Sequence, residues 1–362
     1  MVTEAPIRVG LVGLGRMGQV RKRVLEHHPD LELVAICDPR LDETAGGVLM
    51  VHDYRALLDV DLNTVFVCTP NNVTAEIVAA ALESGRHVFA EKPPGRDLED
   101  VRAILAAEAR HPGLKLKFGF NHRYHESVRE AYDIVQSGRL GQLLWLRGIY
   151  GKSGGRGFEE IWRSKRGIAG GGILLDQGIH MLDLFRLFCG EFEEVKSFVG
   201  TFCWPIDVED NAFVLLRNAE GQVAFLHSSS TQWKHTFLLE ICLTGGYLTI
   251  SGFETGSRSY GRETLVVARR QFEDEAFALG NPREEITYFA GDPSWQLEVD
   301  EFVSCIRNDI PVKVGSSEDA RKVMELVYRI YAADPVWQSA GGVLSLSKGK
   351  TARVAAHQEG EP

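Results

Sequence analysis

The sequence predicts an α/β protein of two domains: an N-terminal doubly wound parallel sheet, then an α+β domain on a large, mostly antiparallel open sheet. Short apolar runs alternate with helical patterns over residues 7 to 120, the rhythm of strand-helix-strand units. Beyond about residue 121 the chain turns strand-rich, with hairpin-like turns in place of helical crossovers. Its 362 residues also exceed what a single ordinary hydrophobic core holds.

In the first domain, strands are predicted at 7–12, 32–37, 64–68, 87–90 and 115–119. Asp97, with Asp100 three residues on, marks a helix start, and Val101, Ile104 and Leu105 form that helix's apolar stripe. The run Ile7-Arg8-Val9-Gly10-Leu11-Val12 leads directly into Gly13-Leu14-Gly15-Arg16-Met17-Gly18. Asp38 closes a second apolar run twenty positions after Gly18. Strand, glycines, helix, strand and acid in this order make a dinucleotide fingerprint. The first glycine permits a tight turn, the second lets a pyrophosphate approach the backbone, and the third lets helix and strand pack closely. Asp38 is then placed to accept from a ribose hydroxyl. Its charge repels a 2′-phosphate, which favours NAD, whereas Arg40 just beyond could pair with that phosphate and keeps NADP open.

Ligands of such sheets bind at the carboxyl ends of the strands. The segments there are Gly13 to Gly18, Asp38, Thr69-Pro70-Asn71, Glu91-Lys92-Pro93 and Asn121 to Tyr124.

After residue 121, Ser127 and Glu130 read as a capping box, and Val128, Ala131, Ile134 and Val135 carry a helix to Gly138. Strands are predicted at 143–150, 194–203, 211–217, 222–230, 237–244 and 247–250, with turns at Asn218-Ala219-Glu220-Gly221 and Gly245-Gly246. Helices return near 294–308 and 317–333. The expected division is residues 1–121 for the first domain, 122–337 for the second, and a mobile tail over 338–362, where Gly, Ser, Lys and Ala mix without periodicity. An open sheet has a face to cover, so a homodimer or homotetramer built through it is expected.

Composition narrows the class. A net charge of −10 argues against a nucleic-acid partner, and Arg21-Lys22-Arg23 reads as a solvated helix face. The six cysteines fall in apolar runs without paired short spacing, as reduced core residues of a cytoplasmic protein do. No signal peptide or membrane span is expected. His27, His28, His111, His122 and His125 lack a carboxylate or Cys at ligand spacing, so no metal is expected.

Two places carry candidate chemistry. Lys92 follows a strand and precedes Pro93-Pro94, so its ammonium sits on stiff backbone. The apolar stretch from Gly170 to Phe185 reads as a buried helix in which Asp176 and His180, four apart, share one face. A buried carboxylate needs a partner, and Lys92 is the candidate. Oxidising an alcohol by hydride transfer requires a base for the hydroxyl proton and positive charge near the developing alkoxide. His180 suits the first task and Lys92 the second, while Asp176 orients its neighbours and binds a further hydroxyl.

With these residues the chain resembles the glucose-fructose oxidoreductase, inositol dehydrogenase and rhizopine-catabolism family. The resemblance rests on Gly13 to Gly18, Thr69-Pro70-Asn71, Glu91-Lys92-Pro93, Asn121-His122-Arg123-Tyr124 and Asp176-x-x-x-His180, and spans roughly residues 7 to 335. It implies a Rossmann domain that holds a nicotinamide cofactor, and a sugar or cyclitol against the second domain's sheet. Lys92, Asp176 and His180 are the implied catalytic set. Arg16 and Met17 are expected over the pyrophosphate, and Asn71 and Glu91 on the nicotinamide side. Thr69, Pro70, Asn121, Trp162 and Arg163 are further cofactor candidates, and Arg123, Tyr124 and Gln177 are sugar contacts. The implied activity is NAD-dependent oxidation of a secondary alcohol of a sugar, sugar derivative or cyclitol. Two other readings stand beside it: a redox-neutral glycosidase or epimerase with tightly held NAD, and a non-catalytic NAD- and sugar-binding regulator. Which of Tyr150, Arg156, Trp233 and His235 face substrate is left to the tertiary structure.

Overall fold

The computed structural model describes residues 5–40, 47–253, 259–273 and 277–339. The chain divides into two compact units, one running up to His125 with Pro293–Met324 added, the other comprising Glu126–Asp292 and the chain from Glu325 onward.

The first unit alternates β1 (Ile7–Val12), α1 (Arg16–His27), β2 (Leu31–Cys37), β3 (Leu49–Val51), α2 (Tyr54–Leu58), β4 (Thr64–Val67), α3 (Asn71–Glu83), β5 (His87–Glu91), α4 (Leu98–Arg110) and β6 (Leu116–Gly119). Its strands pair in parallel in the order β3-β2-β1-β4-β5-β6. The order reverses at β1, and that switch point is where doubly wound sheets take ligands. The five expected strands are present; β3, three residues long, was too short to leave a pattern. Asp97 caps α4 as expected, accepting from the Glu99 and Asp100 N–H groups.

The second unit holds α5 (Glu126–Gln136), β7 (Leu143–Ser153), α6 (Arg166–Ala169), α7 (Ile179–Cys189), β8 (Phe192–Gly200), β9 (Asn211–Asn218), β10 (Val223–Ser229), β11 (Thr231–Leu243), β12 (Gly246–Ser251), β13 (Thr264–Arg269) and β14 (Glu284–Tyr288). These strands form a sheet ordered β14-β13-β12-β11-β7-β10-β9-β8, antiparallel except where β10 meets β7. The apolar helix α7 lies on it, and at Gly148 of β7 a side chain would collide with Met181 and Phe185. Strands β13 and β14 escaped the sequence reading because most of their residues are half-buried or exposed and lack clean alternation.

Two expectations are corrected. The second domain is not continuous over 122–337: α8 (Ser294–Arg307) returns to the first unit, where Val299, Phe302 and Val303 join a core with Ile7, Val9, Phe66 and Phe89. Phe66 and Phe89 stack at 4.8 Å and Phe302 meets both edge-on, so that apolar face has its home on the first sheet. Helix α9 (Ser317–Ala333) starts in the first unit and ends in the second, followed by α10 (Pro335–Ser339). The capping box at Ser127 is not formed either. Ser127 lies inside α5, its N–H is held at 2.9 Å by the Glu263 carboxylate, and its buried hydroxyl has no partner among the described residues. Of the expected tail, Gln338 and Ser339 close α10 and the rest lies outside the described residues.

Candidate functional site

The glycine turn of the first unit is built as its sequence requires. Gly13 has φ +90°, and a Cβ there would stand 2.5 Å from the Cys68 carbonyl oxygen; one at Gly18 would stand 2.0 Å from that of Gly13. Gly15 differs: nothing lies within 4 Å of its would-be Cβ. It precedes an α1 whose first turn carries no capping side chain and no acid, so the N–H groups there are ready for an anion. Arg16 is exposed and Met17 half-buried at this entrance.

Asp38 is 3% exposed and accepts from the Leu14 N–H at 2.8 Å and from the Arg40 N–H and Nε at 3.0 and 3.1 Å. Burial opposes its charge, but the Arg40 side chain and these two N–H groups hold its carboxyl below the usual range. The acid therefore fastens the turn. Open space at Gly15, an uncapped helix and a buried acid after β2 fit a dinucleotide.

Around Lys92 the structure revises several expectations. Lys92 itself is half-buried. Next to it, Glu91 is engaged by Arg21 at 2.7 Å, and Arg21 also binds Glu298 at 2.6 Å. Arg21 is fully buried between the Phe89 and Trp295 rings, 4.3 and 4.6 Å from its guanidinium carbon, and not on a solvated face. Helical periodicity turns position 21 inward, leaving Lys22 half-buried and Arg23 exposed. On the far side of the loop, the Asp100 carboxylate accepts from the Arg96 N–H at 2.8 Å and Nε at 3.0 Å. Lys92 thus stands on a loop clamped at both ends.

Asn121, buried, donates to Ser294 Oγ at 3.0 Å and meets His122 through its oxygen. Arg123 pairs with Asp319 at 3.3 Å. Tyr124, 7% exposed, donates to Glu301 and accepts from the buried Lys117 ammonium at 2.7 Å. Arg123 and Tyr124 are thus committed to packing in the first unit and leave the set of expected sugar contacts. Thr69 meets Thr74 at 3.0 Å, Pro70 precedes α3, and Asn71 begins it, buried.

In the second unit the chain enters Asp176 through a turn that only glycine allows. A Cβ at Gly172 would lie 2.0 Å from the Glu209 carbonyl oxygen. The fully buried Glu209 carboxylate receives the Gly172 and Leu174 N–H groups at 2.8 and 3.0 Å and the Tyr331 hydroxyl at 2.7 Å. Residues Leu174–Gly178 form a π-helical turn before α7, so the uniform α-helical spacing assumed for Asp176 and His180 does not hold. His180, 5% exposed, is on the first turn of α7.

Both oxygens of Asp176 are bound within the unit: Lys152 Nζ lies 2.8 Å from Oδ2 and Arg163 Nε 3.1 Å from Oδ1. Sequence reading foresaw neither. The strand expected over 143–150 in fact runs to Ser153, and the alternation that buries Tyr150 sets Lys152 on the same face. Arg163, expected at the cofactor, instead supports Asp176 while lying over the Trp162 ring at 4.3 Å. Gln177 donates to the Tyr260 hydroxyl, and its buried Oε1 has no partner among the described residues. His235 bridges Ser153 and Ser259 at 2.9 and 2.8 Å. Burial, then the Lys152 charge, lower its pKa. Lys152, Phe158, Arg163, Asp176, Ile206 and Glu209 line a common pocket. Cysteines 37, 189 and 305 are buried as expected, but Cys203 is exposed. Among the described residues no group of three or more His, Cys, Asp and Glu side chains could hold a metal ion, and no helix is long and apolar enough to cross a membrane.

Comparison with known proteins places these features. Residues 7–119 match the model of the oxidoreductase family's NAD-binding Rossmann fold, and residues 128–249 that of the GFO/IDH/MocA C-terminal domain. The chain is 35% identical over 349 residues to D-glucoside 3-dehydrogenase of Escherichia coli (strain K12), covering 91% of this chain and 96% of that protein. Inositol 2-dehydrogenase of Rhizobium meliloti (strain 1021) is 30% identical over 62% of this chain and 68% of its own length. A solved levoglucosan dehydrogenase in complex with NADH and levoglucosan shares the fold at a TM-score of 0.79 and 23% identity, over 91% of this chain and 96% of that one. A first domain built to bind NAD, a second on the family's open sheet, and a full-length relative that is a dehydrogenase establish that this chain belongs to the GFO/IDH/MocA family of oxidoreductases.

Proposed function

We propose that the protein oxidises a secondary hydroxyl of a sugar or sugar derivative with NAD, using Lys92, Asp176 and His180. The observation that carries this reading is the Asp176 carboxylate, held by cations on both oxygens at the head of α7 in a chain of NAD-dependent sugar and cyclitol dehydrogenases. NAD, which the Gly13 to Gly18 turn and Asp38 would hold, would supply the acceptor for the hydride of the carbinol carbon. His180 takes the hydroxyl proton, and the Lys92 ammonium stabilises the charge that develops on oxygen. Asp176, held in place by Lys152 and Arg163, accepts a hydrogen bond from a neighbouring hydroxyl and so orients the ring. In the reverse direction His180 donates the proton. Gln177, with an unsatisfied Oε1, is a second hydroxyl acceptor. The 35% identity to a glucoside dehydrogenase over nearly the whole chain favours a sugar over an inositol, and Asp38, bound to the Leu14 N–H of the glycine turn, favours NAD over NADP.

The exposed face of the large sheet supports a homo-oligomer. Phe198, Leu215, Val223 and Trp145 stand exposed on β8, β9, β10 and β7, and Val223 and Trp145 are register partners.

The test replaces Lys92 with Ala, Asp176 with Asn and His180 with Ala, and follows NADH absorbance on a panel of methyl glucosides, free hexoses and inositols. We expect the best substrate to lose at least about a hundredfold in kcat/KM with each variant. Unchanged turnover in all three removes these residues from the reaction.

A further inference from the structure

Phe158 belongs to two features at once. It lines the pocket that holds Lys152, Arg163 and Asp176, and its ring lies 5.0 Å from that of Trp204, which in turn meets Trp233 at 6.4 Å. Three aromatic rings thus lead from the Asp176 pocket to the surface, where Trp233 is 66% exposed.

The arrangement is built. Asp210, fully buried, accepts from the N–H groups of Phe202, Cys203 and Trp204 at 2.7, 2.7 and 2.9 Å and fixes the segment that carries Trp204. The Trp204 indole N–H donates to the Ser230 carbonyl at 3.0 Å, and the same oxygen accepts from the Gly154 N–H at 3.0 Å. A side chain at position 154 would come within 2.4 Å of the indole, so glycine makes room for the ring. Trp233 lies where β11 falls out of register with β7, between Thr231 and Thr236, and such bulges re-aim side chains beside active sites. With the polar edge of Trp204 already satisfied, aromatic faces remain to be offered. Those faces suit the C–H surface of a ring, whether aryl or sugar.

We propose that Phe158, Trp204 and Trp233 form a subsite for the group attached at the anomeric carbon of a glycoside whose first ring is oxidised at Asp176. This rests on the reading of Asp176 as a substrate contact. A free hexose or an inositol has no such group, so the subsite makes the enzyme selective for glycosides.

The probes are methyl and phenyl glucopyranosides of both anomers and myo-inositol, with NAD, on the intact protein and on Trp233→Ala and Trp233→Phe. A phenyl glucoside is expected to show a KM about tenfold below that of the matching methyl glucoside. In Trp233→Ala that advantage shrinks to about twofold or less while the methyl glucoside KM stays within about twofold, and Trp233→Phe restores most of it. Equal KM values for phenyl and methyl glucosides in the native protein overturn the subsite. So does a Trp233→Ala variant that loses activity equally on every probe, and a change in its assembly state by size-exclusion chromatography would assign Trp233 to a subunit contact. Phenyl glucoside binding is read separately by quenching of tryptophan fluorescence. Binding that is lost in Trp233→Ala while no NADH forms with any probe keeps the subsite and discards the dehydrogenase reading. Turnover of methyl glucosides that vanishes in Lys92→Ala, with no phenyl advantage, does the reverse.

Discussion

Lys152 Nζ lies 2.8 Å from Asp176 Oδ2, so a lysine of the second unit, which the sequence did not single out, grips a carboxylate of the proposed catalytic set. Arg163 holds the other oxygen at 3.1 Å, so removing Lys152 takes away the cation on Oδ2 and leaves the one on Oδ1. Lys152→Met should lower kcat/KM about ten- to a hundredfold, the worth of one charge-assisted hydrogen bond. Lys152→Arg should recover part of the loss. If Lys152 works through Asp176, adding Lys152→Met to Asp176→Asn costs little more than Asp176→Asn alone. Additive losses in that double-mutant cycle would show that Lys152 acts elsewhere.

Two glycines of one turn should respond in opposite ways. Gly15 has φ −68° and empty space around its would-be Cβ, so Gly15→Ala should change stability by no more than about 1 kcal/mol. The added methyl would stand where a pyrophosphate approaches, and NAD affinity, read by calorimetry, should fall at least about tenfold. Gly18→Ala instead drives a methyl into the Gly13 carbonyl and should cost about 3 kcal/mol or more in denaturant unfolding, against the usual gain from Ala in a helix. A Gly15→Ala variant that binds NAD as tightly as the native protein contradicts the placement.

Asp38 and Arg40 set cofactor preference as a pair. The carboxylate binds the Arg40 side chain at 3.1 Å, and that side chain is largely exposed. Asp38→Ser removes the repulsion of a 2′-phosphate and frees the guanidinium to meet it. The ratio of kcat/KM for NAD to that for NADP should drop by more than about tenfold. A ratio that stays constant assigns the choice to other residues.

A pH-dependent element sits beneath the Lys92 loop. Burial pushes the Glu298 carboxyl up to about 7, against the attraction of Arg21 and Lys117 and with the help of Glu91's like charge. Between its ordinary value near 4.5 and about 7, the folded protein binds more protons at this site than the unfolded chain does. Its contribution to stability therefore falls as pH rises through that window, by up to about 3 kcal/mol. Glu298→Gln cannot titrate, so the Tm of the native protein minus that of the variant should decline from pH 5 to pH 8. A flat difference means the carboxyl titrates normally.

Much of this was legible in the chain. Local periodicity marked the parallel strands, the return of α8 and α9, and the Asp97 cap, because burial on one face imposes a period that sequence displays. Gly13, Gly18 and Gly172 are glycine for reasons of contact, and two of them were readable from motif spacing alone. Partners were not. The sequence named Arg21 as solvated and Tyr124 as a sugar contact, yet Glu298 and Glu301, nearly 280 and 180 positions away, claim those side chains in the first core.

Read alone, then, the chain yields the fold class, the dinucleotide turn and Lys92, Asp176 and His180 as candidates for the chemistry, all of which depend on near neighbours and backbone period. Tertiary packing settled that α8 belongs to the first core, that Asp176 is gripped by Lys152 and Arg163, and that a bulge in β11 brings Trp233 to the surface. Those outcomes hang on which distant charge or ring lands within contact distance, and short-range attractions between residues far apart in the chain leave no local pattern to read.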